Sequence, residues 1–129
     1  MTSTRQPDVE VYLRSPSSNI LIQWLNSRFK SVQSHDIKGL PKNAQAYIVK
    51  HNEFDLPVII IESAAKGFCS ILFETQDSPW ANDSALAAEL HDSIGYVVRY
   101  SDGGWSEGAD PDAWIQIDNS GTKSIIWQG

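Results

Sequence analysis

Hydrophobic and polar residues alternate near the start of the chain. Val9, Val11 and Leu13 occupy every second position, with polar or amphipathic side chains between them. A period of two is typical of a strand with one buried face. A serine–proline pair at Ser15 then marks a helix start, and apolar residues recur at helical spacing to about Gln33. The pattern therefore predicts a strand followed by an amphipathic helix that lies on a sheet.

Three short apolar segments follow a loop that contains Gly39 and Pro41. They cover residues 44–51, 57–62 and 67–74. Four successive β-branched residues, 58–61, indicate that the second strand is buried on both faces and is central in its sheet. Because the connections are of hairpin length, we predict that the three strands form an antiparallel meander.

A second helix, capped by Asp83 or Ser84, is predicted to extend to about Ile94, and Gly95 ends it. Strands at 96–100, 114–118 and 122–127 follow, and the last two form a hairpin. The fold class is thus α+β, with the order β-α-β-β-β-α-β-β-β. We expect a mostly antiparallel sheet of six or seven strands with two helices on one face. The 129 residues fit one domain, 1–129, in which residues 1–7 are a flexible N-terminal tail.

The element order can be divided into two similar units, which begin near Val9 and near Phe68. Each unit consists of a strand, a helix and a meander. This order resembles that of the glyoxalase and dioxygenase superfamily, and also that of ferredoxin-like sandwiches. The first resemblance implies a small-ligand-binding protein or a metal-dependent enzyme whose polar groups lie on strands facing a cavity. In this sequence the strands offer Glu10, His51, Glu62 and Glu74.

Acidic residues are concentrated in the second half of the chain, whose net charge as a whole is −6. Residues 1–66 carry eight Lys or Arg against six Asp or Glu, whereas residues 67–129 carry two against ten. A net-acidic chain binds the phosphate backbone poorly, so we expect no nucleic-acid partner. The acidic half instead favours a basic protein as partner.

The residue types that carry most catalytic and metal chemistry show no functional spacing. The histidines lack a second histidine at ligand spacing, and neither a phosphate-binding glycine loop nor a nucleophile elbow occurs. Asp110 and Asp112 start like a calcium loop, but Trp114 stands where an oxygen ligand is required. We therefore predict no catalytic residue, no metal site and no cofactor, and we favour a protein that is not an enzyme.

Cys69 is the single cysteine, which excludes an intramolecular disulfide and fits a reducing compartment. It falls in a predicted strand, where a thiol is more often buried packing than a nucleophile. The N-terminus has no apolar signal-peptide core, and the longest apolar run, residues 58–61, is too short to cross a bilayer. We expect a soluble, cytoplasmic protein without a membrane partner.

Four of the five tryptophans lie in the acidic half. Trp114 and Trp127 fall on predicted strands, where cross-strand packing is expected. Trp105 stands among glycines and carboxylates in a loop, where its ring either folds back on the sheet edge or contacts a partner. Trp80, in the other long loop, is a second candidate anchor. The candidate partner-binding residues are therefore Trp105, Trp80, Asp102, Glu107, Asp110 and Asp112.

These patterns leave three interpretations of function open. The first is a non-catalytic binding or regulatory module whose acidic, tryptophan-containing C-terminal half engages a basic protein surface. The alternative is a small-ligand-binding protein or metal-dependent enzyme with a glyoxalase-like arrangement of two similar halves. The third is a homo-oligomer in which the basic half of one copy meets the acidic half of another. We favour the first, because the charge division is clear and no catalytic signature accompanies it.

Overall fold

The structure, a computed structural model, describes residues 5–15, 17–102 and 112–128. Within these residues eight strands form one sheet, and two helices accompany it. The elements are β1 (Val9–Arg14), α1 (Asn19–Arg28), β2 (Val32–Ser34), β3 (Ala44–His51), β4 (Phe54–Ala65), β5 (Phe68–Phe73), α2 (Asp83–Ile94), β6 (Val98–Ser101), β7 (Ala113–Asp118) and β8 (Gly121–Ile126). The α+β class with two helices is confirmed, whereas the predicted count of six or seven strands is too low.

The strand order across the sheet is β2-β3-β4-β5-β1-β6-β7-β8. All neighbouring strands are antiparallel, and β3, β4 and β5 form the predicted meander. β1 lies between β5 and β6, so the two units inferred from the element order do not form two separate sheets. The strand order also shows where the basic and acidic halves of the chain lie in the sheet. The strands β2 to β4 come from the basic half of the chain, whereas β5 to β8 come from the acidic half.

The additional strand comes from a segment that the sequence analysis placed in the first helix. α1 ends at Arg28, and Phe29 is extended, with φ −120° and ψ 145°. This turn buries the Phe29 side chain and leaves Val32–Ser34 free to pair with β3 as the edge strand β2. Phe29 and Val32 both carry apolar side chains at helical spacing, so the hydrophobic pattern extended the predicted helix to Gln33 wrongly.

The start of α1 also differs from the prediction. The helix begins at Asn19 rather than directly after Ser15, and Ser18 precedes it without a capping side-chain hydrogen bond. The Ser18 backbone N–H instead donates to Glu62 Oε2 at 2.8 Å. A carboxylate from β4 therefore satisfies one of the free N–H groups at this helix end, and sequence-local capping rules could not reveal that contact.

Both helices cover the same face of the sheet. In β1 the side chains of Val9, Val11 and Leu13 are fully buried on this face. One cluster joins them to apolar residues of the neighbouring strands and of both helices, including Leu21, Leu25, Ile60, Ile71, Phe73, Leu86, Leu90 and Val98. Removal of this apolar surface from water is the main driving force for folding. The expected placement of both helices on one face is therefore observed.

The opposite face has no helix over it in the described part of the chain, and we call it the helix-free face. In β4, Val58 and Ile60 are buried under the helices, whereas Ile59 and Ile61 on the helix-free face are only half-buried. The prediction that this strand is buried on both faces is therefore wrong. One row across the helix-free face runs through β4, β5, β1, β6, β7 and β8 as Ile61, Ser70, Tyr12, Arg99, Gln116 and Lys123.

The first described residues are held against the fold. The Arg5 guanidinium donates to the carbonyl oxygens of Gln76 at 2.9 Å and Trp80 at 3.1 Å. The Gln6 backbone N–H donates to the carbonyl oxygen of Ala81 at 2.8 Å. These hydrogen bonds join Arg5 and Gln6 to the segment before α2. Residues 1–4 lie outside the described residues, so the flexible tail over residues 1–7 stays a prediction. Neither described helix combines the length and apolar character that a membrane span requires.

Candidate functional site

Three of the six candidate partner-binding residues lie in the described structure. These are Trp80, Asp102 and Asp112, whereas Trp105, Glu107 and Asp110 fall in the segment 103–111, outside the described residues. The role expected for Trp105 is therefore still a prediction.

Trp80 is a core residue and not a surface anchor. Its side chain is 4% exposed. The ring packs against Phe73 at 4.9 Å and against Trp24 at 5.8 Å between ring centroids. A partner could not contact it without opening the core, so the candidate role of Trp80 is corrected. Its position in a loop with a proline suggested exposure, but this loop folds inward and is held there by Arg5.

An ion pair holds the two helices together beside Trp80. Arg28 Nε, at the end of α1, lies 2.7 Å from Glu89 Oε2 on α2. The Arg28 guanidinium stacks 5.2 Å from the Phe29 centroid and 5.6 Å from that of Trp80. Glu89 also accepts a hydrogen bond from Trp80 Nε1 at 3.2 Å. Every charged group of this cluster therefore has a partner of opposite charge or a hydrogen bond.

Asp102 and Asp112 lie at the base of the undescribed segment. The Asp102 backbone N–H donates to the carbonyl oxygen of Ala113 at 3.0 Å, which extends the pairing of β6 with β7. The hydroxyl of Tyr100, on β6, lies 3.3 Å from that of Ser84, in the first turn of α2. The end of β6 and the start of α2 therefore meet at the same end of the sheet.

Three further carboxylates lie at this end of the sheet. Asp83 Oδ1 accepts the Glu10 backbone N–H at 2.8 Å, and the Asp83 N–H donates to Gln6 Oε1 at 2.7 Å. Burial raises the pKa of Glu10 above its usual value, and the carboxylates of Asp83 and Asp8 raise it further. Burial also raises the pKa of Asp83, although hydrogen bonds to its carboxylate oppose that rise. We call Asp8, Glu10, Asp83, Asp102 and Asp112 together the acidic end.

Cations do not compensate the core of the acidic end within the described residues. The ion pairs among the described residues join Arg28 to Glu89, Lys50 to Asp55 and Lys123 to Asp118. None of them includes Asp8, Glu10 or Asp83. Like charges held close together repel, and partial burial strengthens that repulsion. The acidic end therefore favours the approach of a positive group.

Aromatic rings form a cluster on the helix-free face. The Tyr12 centroid lies 5.3 Å from that of Trp114 and 5.5 Å from that of Trp127, with the rings edge to face. The Trp114 and Trp127 centroids are 4.8 Å apart. These three side chains are half-buried. Cross-strand packing of Trp114 and Trp127 was the expected role, and the contact with Tyr12 adds a strand from the basic half.

The sheet curls toward the helix-free face. The Trp127 backbone N–H donates to the carbonyl oxygen of Asp112 at 2.9 Å, so Trp127 continues the pairing of β8 with β7. Its ring nevertheless lies 4.8 Å from that of Phe68 on β5, four strand spacings away. Four spacings in a flat sheet are about 19 Å, beyond the combined reach of the two side chains. The curl therefore makes this part of the face concave.

Arg99 lies within the aromatic cluster. Its Cζ is 4.7 Å from the centroid of Phe68 and 4.7 Å from that of Trp127. Its Nε donates to Gln116 Oε1 at 2.8 Å. Burial lowers the pKa of Arg99, and the charge of Arg14 lowers it further. Sequence reasoning missed this arginine, although the alternation in β1 already placed Tyr12 and Arg14 on the side away from the core.

A chain of polar contacts continues from Arg99 along the helix-free face. Gln116 Nε2 donates to Asp118 Oδ2 at 2.8 Å, and Lys123 Nζ lies 3.2 Å from the same oxygen. Hydrogen bonds from Gln116, from the Ser120 backbone and from Lys123 hold the pKa of Asp118 well below its usual value. Both carboxylate oxygens of Asp118 therefore have partners within the last hairpin, and none of these contacts is with Arg99.

The residues proposed for catalysis or metal binding do not come together. No group of three or more His, Cys, Asp and Glu side chains suited to a metal ion occurs in the described parts of the chain. Glu10, His51, Glu62 and Glu74 thus form no such group. Cys69 is buried, its Sγ donates to the Ser15 carbonyl oxygen at 3.4 Å, and burial raises the pKa of its thiol. A thiol in this environment is a packing residue and a poor nucleophile.

Comparison with protein-family models, with curated proteins and with solved structures finds no match for this chain. Function must therefore be inferred from surface chemistry. The two surfaces with distinct chemistry in the described residues are the acidic end and the aromatic cluster around Arg99. They lie close together, because Glu10, Tyr12 and Arg14 alternate along one strand and share its helix-free face.

Proposed function

We propose that the protein is a non-catalytic binding module that engages a basic protein surface through its acidic C-terminal half, joined at the acidic end by Asp8 and Glu10 from the first half of the chain. The acidic end carries this proposal, because Asp8, Glu10 and Asp83 are crowded there without a compensating cation among the described residues. A Lys or Arg side chain from a partner would relieve their mutual repulsion. Long-range attraction by the same charges would also steer the encounter and accelerate association.

The carboxylates around segment 103–111 extend the acidic end in the proposal. Asp102 and Asp112 lie at its base, and Glu107 and Asp110 lie within it. Trp105, between Asp102 and Glu107 in sequence, is proposed as the apolar anchor, since tryptophan contributes strongly at binding hot spots and attracts cations. Trp80 is no longer part of the proposal, because it belongs to the core.

The test is an affinity capture that compares salt concentrations and matched variants. The tagged protein is incubated with lysate of its source cells at about 0.05 M and about 0.5 M NaCl, since the higher salt screens exposed charges strongly. We expect one basic protein in near-equal amount at low salt and its loss at high salt. With the purified partner, Glu10→Gln combined with Asp102→Asn should weaken binding about tenfold, and Trp105→Ala should weaken it at least as much.

Asp36→Asn is the matched control for the charge change. Asp36 is exposed on the loop that follows the edge strand β2, on the basic side of the sheet, so its substitution should leave binding unchanged. A stoichiometric partner that binds equally well at both salt concentrations, or that ignores the variants of the acidic end, would show that the proposed mechanism is wrong.

A further inference from the structure

Within the described residues, the guanidinium groups of two arginines stack on a pair of aromatic rings, and one of the two forms an ion pair with a carboxylate there. Arg28 forms an ion pair with Glu89 at 2.7 Å. Arg99 instead donates to the neutral amide of Gln116, and no carboxylate among the described residues forms an ion pair with it. Arg28 thus has a carboxylate partner in addition to its two aromatic rings, whereas Arg99 has the rings without a carboxylate among the described residues.

The Arg99 guanidinium is held in a fixed position. Two rings stack on it at 4.7 Å, and Gln116 holds its Nε. A guanidinium fixed in this way loses little conformational entropy when a carboxylate or phosphate binds to its remaining N–H groups. Among the described residues no ion pair includes Arg99, and the neighbouring Arg14 adds a second positive charge. The ligand that this charge favours is therefore an anionic group.

The surroundings of Arg99 are apolar and concave. We define the Arg99 surface as the residues that surround the guanidinium on the helix-free face, namely Tyr12, Arg14, Arg99, Trp114 and Trp127. Phe68 also stacks on the guanidinium but is itself buried, so it supports Arg99 without being open to a partner. Half-buried Ile59, Ile61 and Leu72 continue this surface over β4 and β5. Half-buried aromatic side chains next to an arginine are the composition typical of interaction hot spots. A free small anion would use the charge and leave these rings without a contact.

We propose that the Arg99 surface docks a protein segment that places a carboxylate on the Arg99 guanidinium and apolar side chains on the neighbouring aromatic rings. The curl favours a protruding segment over the flat face of a second copy, because two concave surfaces pack poorly against each other. The inference rests on the proposed function only in treating the partner as a protein, and the acidic end takes no part in it. Together the two surfaces would fix the orientation of a partner that carries both charges.

The probe for this inference is a pair of blocked hexapeptides, one with a single glutamate between apolar residues and one with glutamine in its place. Titration into the ¹⁵N-labelled protein is followed by the NMR signals of the Arg99 Nε–H and of the Trp114 and Trp127 indole N–H groups. We expect these signals to shift with a dissociation constant on the order of 1 mM for the glutamate peptide. Loss of the charge-assisted hydrogen bonds should weaken the glutamine peptide about tenfold.

Variants distinguish the guanidinium from a simple positive charge. Arg99→Lys keeps the charge but loses the planar fork and the stacking, so it should weaken the glutamate peptide about tenfold. Arg14→Gln, at an exposed position, should weaken it less and leave the fold intact. Arg28→Lys is the matched control, because that arginine already holds Glu89, and binding should not change. Far-ultraviolet circular dichroism confirms that each variant is folded.

Four results would overturn the inference. Equal binding of both peptides would exclude recognition of the carboxylate, and unshifted Arg99 and tryptophan signals at about 10 mM peptide would exclude the surface. Inorganic phosphate that displaces the peptide at equal concentration would indicate a small-anion site. Signals that shift with protein concentration alone would identify a second copy as the occupant. Because Glu10→Gln should leave peptide binding unchanged, failure here and failure of the acidic end are separable.

Discussion

The pKa values of two carboxylates in this protein shift in opposite directions, and the direction of each shift follows from the groups around it. Glu10 is half-buried among like charges, so its pKa in the folded state is raised. Asp118 is surrounded by donors, so its pKa is lowered. A raised carboxylate pKa means that the folded state binds the proton more tightly than the unfolded state does, and stability then falls as pH rises through that range. A lowered pKa gives the opposite slope.

The Glu10→Gln variant tests the sign at residue scale. We expect it to raise the free energy of unfolding at pH 7 by roughly 0.5 kcal/mol, because it removes a repelled, partly desolvated charge. As pH rises through and above the ordinary glutamate range, the variant should also lack the decline in stability that ionisation of Glu10 causes in the wild type. Urea unfolding at several pH values measures both effects.

Asp118→Asn provides the opposite case for the same experiment. Its lowered pKa contributes stability above the ordinary aspartate range, and that contribution is lost on acidification. The Asp118→Asn variant should therefore be destabilised at neutral pH, and the difference between its free energy of unfolding and that of the wild type should vanish in acid.

The outcome that would contradict the prediction for Glu10 is a destabilising effect of Glu10→Gln at pH 7. The assignment of Glu10 to a crowded carboxylate group would then be wrong.

At the scale of elements, the sequence predicted what depends on periodicity and missed what depends on distant contacts. The alternation at Val9, Val11 and Leu13 was enough to identify β1 and its buried face. α2 was found with its end at Ile94, because Gly95 ends it in a left-handed conformation, but its N-cap is Asn82, through the Ala85 N–H, and not Asp83 or Ser84 as predicted. The end of α1 was missed, since the backbone pairing of Val32 with β3 leaves no local signal.

The candidate site shows the same division. The charge bias of the acidic half was visible in the sequence, but the contribution of Asp8 and Glu10 was not, because β1 belongs to the basic half and reaches the acidic side only through strand order. The burial of Trp80 likewise depends on Arg5, about 75 positions earlier in the chain. Contacts at such separation are set by the whole fold, so local rules assigned Trp80 to the surface.

The packing of α1 against α2 provides a test at this scale. Glu89→Gln keeps an oxygen for Trp80 Nε1 but removes the charge that pairs with Arg28. We expect a loss of about 1 kcal/mol in the free energy of unfolding, since one partner of a partly buried, hydrogen-bonded ion pair is left without its counter-charge. Asp92→Asn on the exposed side of the same helix is the matched control and should change little. Equal effects of the two variants would show that the ion pair does not couple the helices.

At the scale of the whole molecule, salt should act in opposite directions on stability and on binding. Crowded carboxylates without cations destabilise the folded state, and screening reduces that cost. Raising NaCl from about 0.05 M to about 0.5 M should therefore raise the melting temperature by a few degrees, while the same change weakens capture of the basic partner. The Glu10→Gln and Asp102→Asn double variant should show a smaller rise, whereas Asp36→Asn should behave like the wild type.

The comparison of these variants isolates the acidic end, because a general effect of salt on apolar burial would raise the melting temperatures of all variants equally. A melting temperature that falls with salt would mean that the carboxylates are already compensated within the fold, and the proposed need for a basic partner would lose its physical basis.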